Sequence, residues 1–381
     1  MPRYDYLIVG AGLYGSVFAH ELKKHGKTCL VIDKRDHVGG NIYCENIEGI
    51  TVHKYGAHIF HTNDREVWEY VNGFVEFNRY TNSPVAMYKG ELYNLPFNMN
   101  TFHRLWGVKT PQEAKEKLSE QSAEYAGVDP KNLEEQALKL IGYDIYTKLI
   151  KGYTEKQWGC NAKELPPFII NRLPIRLMFD NNYFDGAFQG IPHGGYNSLI
   201  EKLLSNVDVE LNTDFISNRT EMEKIATKIL YTGKLDEFFG FSAGELSYRS
   251  LHFEHQLLDI ENFQGNAVVN YTEKEIPWTR IIEHKHFEFG MQPKTVITKE
   301  FPQDWNRDKE AYYPVNNERN NALFNAYWKM ALKEKKYIFG GRLAEYKYYD
   351  MDKTVRAALD KVKIILGELG EYNNYQGTGF I

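Results

Sequence analysis

An apolar strand, Tyr6-Leu-Ile-Val-Gly10, runs without a break into the turn Gly10-Ala-Gly12-Leu-Tyr-Gly15. A helical stretch follows over 16–25, and a second apolar strand, Cys29-Leu-Val-Ile32, ends on the acid Asp33. This order of strand, glycine turn, helix, strand and acid is a dinucleotide-binding βαβ unit, and it constrains the chain to an α/β (mixed) fold built on a Rossmann-like domain. Gly10 makes the tight turn, Gly12 lets the backbone approach a pyrophosphate, and Gly15 lets helix and strand pack closely, so that phosphates sit on a helix N-terminus. Asp33 stands where a carboxylate accepts ribose hydroxyls. Arg35 and Gly39-Gly40-Asn41 extend the pattern in the manner of flavoproteins rather than nicotinamide dehydrogenases.

At 381 residues the chain has room for two or three domains and for burial of a flavin dinucleotide. A net charge of -5, with acids and bases interspersed, argues against nucleic acid or an anionic membrane as partner, since either needs a clustered basic patch. No leader-like segment or membrane-length apolar run is present, so a cytoplasmic enzyme is expected. Cys29, Cys44 and Cys160 are isolated, which fits a reducing compartment and offers no cysteine-rich metal site. His58 and His61, with His53 before them, lack a nearby carboxylate or cysteine to complete a ligand set, so no metal is expected. Tyrosine outnumbers phenylalanine, 27 to 22, and supplies a ring face and a hydroxyl together, as stacking on a base and bonding to sugar or phosphate require.

After residue 56 the α/β alternation stops, so later segments must complete the nucleotide domain. Over 101–149 helix formers carry apolar residues at helical spacing, and Thr110 before Pro111 marks a helix start. Short β-branched segments at 267–272, 279–283 and 295–298 suit antiparallel strands, with a hairpin over 86–93 in the same sheet. A strand at 337–341 and an amphipathic helix over 351–369 return to α/β. The expected organisation is a discontinuous FAD-binding domain (1–75, 190–240 and 335–381), a helical insertion (98–165) and an antiparallel sheet substrate domain (76–97, 166–189 and 241–334).

Several further segments are richer in functional residue types than a core needs. They are Tyr55-Gly-Ala-His-Ile-Phe-His61, Thr81-Asn-Ser-Pro84, Lys151-Gly-Tyr-Thr-Glu-Lys-Gln-Trp-Gly159, the stretch from Arg172 to Arg176 with Asp180-Asn-Asn-Tyr-Phe184, the stretch from Tyr271 to Lys285, Tyr312-Tyr-Pro-Val315, and Gly340-Gly-Arg-Leu-Ala-Glu-Tyr-Lys-Tyr-Tyr-Asp-Met351. Together, and in this order, they resemble the bacterial UDP-galactopyranose mutases over essentially the whole chain. The resemblance implies a non-redox isomerisation of UDP-galactopyranose to UDP-galactofuranose with reduced FAD, through an adduct between the flavin N5 and the sugar anomeric carbon. It also implies an electron donor that reduces the FAD, and a homodimer. A cofactor that carries the covalent step explains why no Ser/His/Asp or Cys/His nucleophile is apparent.

Residue by residue, the resemblance gives Arg172 and Arg280 the charge on the departing diphosphate, which two guanidiniums can meet bidentately. It puts Tyr153 on the uracil with Trp158 on the same wall, and Tyr183, Tyr313 and Tyr348 on the diphosphate. Asn82, Thr154 and Asn270 fall around uridine and sugar. On the cofactor side it adds Tyr14, Lys34, Gly40, Asn41 and Ile59 to the glycine motif, and sets His58 beside the isoalloxazine as a neutral or protonated imidazole. Asp214 and Phe215 place backbone groups against the adenine, Arg342 falls at the pyrophosphate, and Asp350 and Met351 under the ribityl chain and ring. Leu149 and Ile150 depart from the two phenylalanines of some relatives, which makes the uracil wall less aromatic. Arg176 suits a salt bridge, and 161–176, with Pro166-Pro167, reads as a hinged lid that delivers Arg172. The rival readings are a flavin oxidoreductase of the amine-oxidase type and a nucleotide-sugar-binding protein with a relict flavin.

Overall fold

The computed structural model describes residues 2–170 and 174–368. Its first layer is a five-stranded parallel sheet, ordered Tyr337–Phe339, Ala226–Tyr231, Tyr4–Val9, Cys29–Ile32 and Asp208–Glu210. Leu7 sits in register between Ile229 and Leu30, and all four residues of Cys29–Ile32 are buried, as a parallel strand covered on both faces requires. The helices Leu13–Lys24 and Met351–Ile365 pack together, and Val17, Phe18, Leu22, Val355 and Ala358 share one core with Ile8 and Val31. Leu7, Ile229, Phe238 and Tyr327 belong to a second core. The βαβ unit is therefore completed by three strands that come much later in the chain, at 208–210, 226–231 and 337–339.

A seven-stranded sheet forms the second layer, ordered Tyr313–Pro314, Tyr248–Leu258, Thr295–Asp304, Arg280–Glu283, Val268–Tyr271, Val85–Tyr88 and Glu91–Asn94. The hairpin of the last two strands joins this sheet as expected, but Val85–Tyr88 runs parallel to Val268–Tyr271. The sheet is thus mixed rather than wholly antiparallel. A direct turn could not join these two strands, whereas the long excursion between them brings the chain back in the same direction.

That excursion begins with the helices Met99–Trp106, Pro111–Ser122 and Leu133–Ile145. Thr110 and Glu113 form a reciprocal cap, with the Thr110 oxygen accepting from the Glu113 N–H at 3.3 Å and the Glu113 carboxylate accepting from the Thr110 N–H at 3.1 Å. Gly142, at φ +73°, breaks the third helix where a Cβ would lie 2.3 Å from that of Gln121. Beyond it a π-helical segment, Tyr146–Lys151, hands over to the helix Gly152–Trp158. Among the described residues no helix is long and apolar enough to cross a membrane.

Candidate active site

At the glycine turn, steric room is the controlling quantity. A Cβ on Gly15 would lie 2.0 Å from the Gly10 carbonyl oxygen, and one on Gly10, at φ +113°, would lie 2.1 Å from Thr232 Oγ1. Gly12 instead faces a cavity of about 470 Å³, and the helix Leu13–Lys24 opens there with no side-chain cap on its first N–H groups. Tyr14, Asn41, His58, Ile59, Arg342, Asp350 and Met351 line the same cavity.

Seven cofactor assignments stand away from this lining: Gly10 and Gly15, packed inside the turn, and Asp33, Lys34, Gly40, Asp214 and Phe215. Asp33 Oδ2 accepts from the Ala11 N–H at 2.8 Å and Oδ1 from the Arg35 N–H at 2.9 Å, so the acid ties down the glycine loop. Lys34 is exposed and paired with Glu310 at 3.0 Å. The Phe215 ring is buried against Tyr231 and Tyr337, and Asp214 Oδ1 accepts from the Ser217 N–H at 2.7 Å. Gly40 abuts Gly12, where its Cβ would come within 3.1 Å of the Gly12 Cα.

Arg35 does face the cavity, stacked 4.5 Å from the Tyr55 ring centroid, with Nη2 on Asn41 and a buried Nη1 lacking a partner. Sequence reasoning left it without a role, although its place beside Asp33 in the fingerprint was the available signal. A glycine cradle, an uncapped helix start and an orphaned buried guanidinium N–H fit a dinucleotide pyrophosphate.

In the middle of the cavity His58 Nδ1 lies 2.8 Å from the Gly56 carbonyl. That contact makes Nδ1 the donor and leaves Nε2 an acceptor. Burial lowers the His58 pKa to about 4; the Gly56 bond opposes this, and the guanidiniums of Arg342 and Arg280 add to it. The imidazole is therefore neutral at ordinary pH. Across the sheet Arg280 pairs in register with Glu300, whose Oε2 accepts from its Nε at 2.8 Å. Burial works against the Arg280 charge, but the Glu300 carboxylate, with Tyr153 and Tyr313 beside it, raises the pKa on balance. Glu300 is 1% exposed and also closes on Gly56, where a Cβ would come within 3.2 Å of Oε2, so one carboxylate links the His58 turn to Arg280. Its signal in the sequence was absent, because cross-strand register is set by tertiary pairing.

Asn82, Tyr153, Tyr183, Asn270, Arg280, Tyr313 and Tyr348 line the same cavity beyond His58. Tyr153, Tyr183 and Asn270 also line a neighbouring apolar pocket of about 210 Å³ with Thr154, Trp158, Leu149 and Ile150. Burial pushes the Tyr153 hydroxyl up to about 12 and raises those of Tyr183 and Tyr313, so all three are neutral donors. Asn82, Asn270 and Gln157 each present a buried side-chain oxygen with no partner. Gln157 lines the apolar pocket and was not singled out, although its motif neighbours were. Arg176 is ion-paired with Asp180 at 3.3 Å and with Asp185, as its salt-bridge reading expected.

Arg172 lies outside the described residues. The stretch leading to it departs from a free hinge: Ala162, Leu165 and Ile170 are buried in the helical core, and the Leu165 carbonyl accepts from the Leu133 N–H at 2.8 Å. The short 3-10 turns Ala162–Glu164 and Pro167–Ile170 lie on either side of Pro166, and each buries one apolar side chain, Ala162 and Ile170, in that core.

Residues 148–348 match the family model described as UDP-galactopyranose mutase, and 8–74 match an NAD(P)-binding Rossmann-like domain. The chain belongs to the UDP-galactopyranose mutase family. It is 40% identical to a probable UDP-galactopyranose mutase of Klebsiella pneumoniae over 94% of each chain. It is 37% identical to a dTDP-fucopyranose mutase of Escherichia coli, over 94% of this chain and 98% of that one. A UDP-galactopyranose mutase of Mycoplasma genitalium is 34% identical over 95% of each. Among solved structures a reduced UDP-galactopyranose mutase matches with a TM-score of 0.76 over 97% of this chain and 95% of that one; at 15% identity it bears on the fold. The resemblance read from the motifs is thereby borne out, and with it the isomerase class of this flavin-dependent family.

Proposed function

We propose that this family member interconverts UDP-galactopyranose and UDP-galactofuranose with FAD in the long cavity. The observation that carries the reading is the continuity of the site. The glycine cradle, neutral His58 and Arg280 share one cavity, and Tyr153, Tyr183 and Asn270 join it to the apolar pocket, so a dinucleotide and a nucleotide sugar can meet end to end.

When bound and reduced, the flavin supplies the nucleophile for the anomeric carbon and is regenerated. The protein's residues do the rest. Arg280, kept charged by Glu300, meets the diphosphate as it departs, and the neutral hydroxyls of Tyr183 and Tyr313, together with Tyr348, donate to its oxygens. Arg172 joins them in this reading. The Tyr153 ring stacks on the base while Asn82 and Asn270 satisfy their orphaned oxygens on ribose and sugar hydroxyls. His58 accepts a proton or hydrogen bond at Nε2.

The reading includes FAD as the flavin, a cytoplasmic electron donor to reduce it, and a homodimer, all supported by the family resemblance. Dithionite-reduced protein given UDP-galactofuranose is expected to form UDP-galactopyranose with no stoichiometric use of reductant. Reductant consumed one for one with product would replace the mutase by an oxidoreductase. The similarity to the dTDP-fucopyranose mutase, with aliphatic Leu149 and Ile150 in the base pocket, favours one second reading, a deoxythymidine nucleotide sugar. The same assay with the furanose form of the dTDP-fucose nucleotide decides it by the ratio of kcat/KM.

A further inference from the structure

Lys156 lies on the helix Gly152–Trp158, one turn beyond Tyr153, and is absent from the linings of both cavities. Its Nζ donates to three backbone carbonyls: Tyr271 at 2.7 Å, Ile276 at 2.9 Å and Trp278 at 2.9 Å. Tyr271 ends the strand that carries Asn270, and Trp278 precedes the strand that starts at Arg280. A single ammonium, with all three donors used, thus bridges both limbs of the turn that presents the sugar-side asparagine and the diphosphate arginine.

The helix itself has no slack against that turn. A Cβ on Gly152 would lie 2.3 Å from the Thr272 carbonyl oxygen and 2.9 Å from the Lys274 nitrogen. Lys274 reaches back to Glu155 at 3.1 Å, and Thr272 Oγ1 donates to the Lys148 carbonyl at 2.7 Å. At the far end of the helix Arg249 donates from Nε to the Gln157 carbonyl at 2.9 Å and is ion-paired with Asp304.

We propose that Lys156 is a positioning residue for nucleotide-sugar binding, locking the base wall formed by Tyr153 and Thr154 to the turn that holds Asn270 and Arg280. The inference rests on the nucleotide-sugar reading of the site. Neutral lysine has two N–H donors for three carbonyls, so deprotonation leaves one of the three unbonded and weakens the tie between the limbs. Burial lowers the Lys156 pKa to about 8, against the pull of Glu273 and Glu275 on the same turn. The other charges facing it are Arg249 with Asp304 from the large sheet, Glu155 with Lys274 beside it, and Lys299, which sits 4.6 Å from the Trp278 ring centroid.

The test is the Kd of UDP for the flavin-loaded protein, measured by calorimetry at pH 7 and pH 9 on wild type, Lys156→Met and Lys156→Arg, with flavin content recorded for each. Lys156→Met is expected to bind UDP at least about tenfold more weakly at pH 7 with normal flavin content. Wild type is expected to weaken severalfold by pH 9, whereas Lys156→Arg, which does not deprotonate, stays near its pH 7 value. Titration of the ligand itself is common to both proteins and cancels in that comparison. Lys156→Met binding within about twofold of wild type, or an equal pH dependence for wild type and Lys156→Arg, overturns the proposal. If Lys156→Met does not fold, the comparison of wild type with Lys156→Arg decides alone. A wild type that binds no UDP overturns both this proposal and the reading it rests on, and is told apart from the other failures by that blank.

Discussion

The two ends of the long cavity are built by opposite means. At the glycine end one continuous stretch, from Tyr4 to Asn41, supplies strand, turn, helix start and guanidinium, and close backbone approach does the positioning. At the sugar end the side chains come from separate segments, with Asn82, Tyr153, Tyr183, Asn270, Arg280, Tyr313 and Tyr348 each on a different element or loop. There the positioning is done by side-chain bonds across the sheet, such as Arg280 to Glu300, and by ties such as the Asn82 carbonyl on the Tyr183 N–H at 2.8 Å. A contiguous backbone site tolerates almost no added volume. A distributed side-chain site tolerates volume but not the loss of a charge.

The largest expected effect tests the backbone end. Gly15→Ala puts a methyl 2.0 Å from the Gly10 carbonyl oxygen, so the turn must open. Purified protein is expected to lose essentially all of its flavin absorbance and about 1–3 kcal/mol of stability in denaturant titration. Normal flavin content in Gly15→Ala would break the comparison, since backbone approach would then not govern that end.

Next in size is the charge at the other end. Arg280→Ala is expected to lower turnover by at least about a hundredfold, corresponding to roughly 2.7 kcal/mol of transition-state stabilisation, with flavin content unchanged. The resemblance assigns Arg172→Ala an effect of the same order. Steady-state kinetics on well-folded variants measures both, and near wild-type kcat removes that arginine from the chemistry.

The smallest expected effect lies between the two ends, where buried histidines support the His58 turn. His53 Nδ1 accepts from the His58 N–H at 3.1 Å, and His284 Nδ1 accepts from the His53 N–H at 3.2 Å, so both rings must be unprotonated at those atoms. Burial lowers the pKa of His53 to about 3 and that of His58 to about 4, from 6.5. The folded state therefore keeps these rings neutral where the unfolded chain protonates them. Stability from this source is complete above pH 6.5 and falls as pH drops from 6.5 towards 4. Melting temperature against pH is expected to decline across that window, and His53→Asn is expected to flatten the decline. A plateau from pH 6.5 to 4.5 in wild type would show that the histidines do not set the acid limit.

How much of this was legible in the sequence follows from the same contrast. The glycine turn could be read residue by residue because each glycine's reason is local: Gly10 and Gly15 exclude a Cβ, and Gly12 leaves an open approach. The helix start at Thr110-Pro111 was equally local, and the structure adds the Glu113 half of its cap from three residues on. Arg280 and the tyrosines could be found only through motifs that resemble a known family, because nothing in their own neighbourhoods states what they face.

Glu300, Gln157 and Lys156 escaped that reading for a physical reason. Glu300 acts through cross-strand register, Gln157 through burial without a partner, and Lys156 through carbonyls more than a hundred residues away. The sequence by itself determined the βαβ unit, the helical excursion and the identities of the charged and aromatic side chains. Only the tertiary structure decided that Asp33 binds the glycine loop, that the Phe215 ring enters a core, that Val85–Tyr88 runs parallel to its neighbour, and that one lysine joins both walls of the sugar end. Turns and caps are settled by interactions within a few residues, whereas strand register and buried charge pairing depend on how distant segments pack.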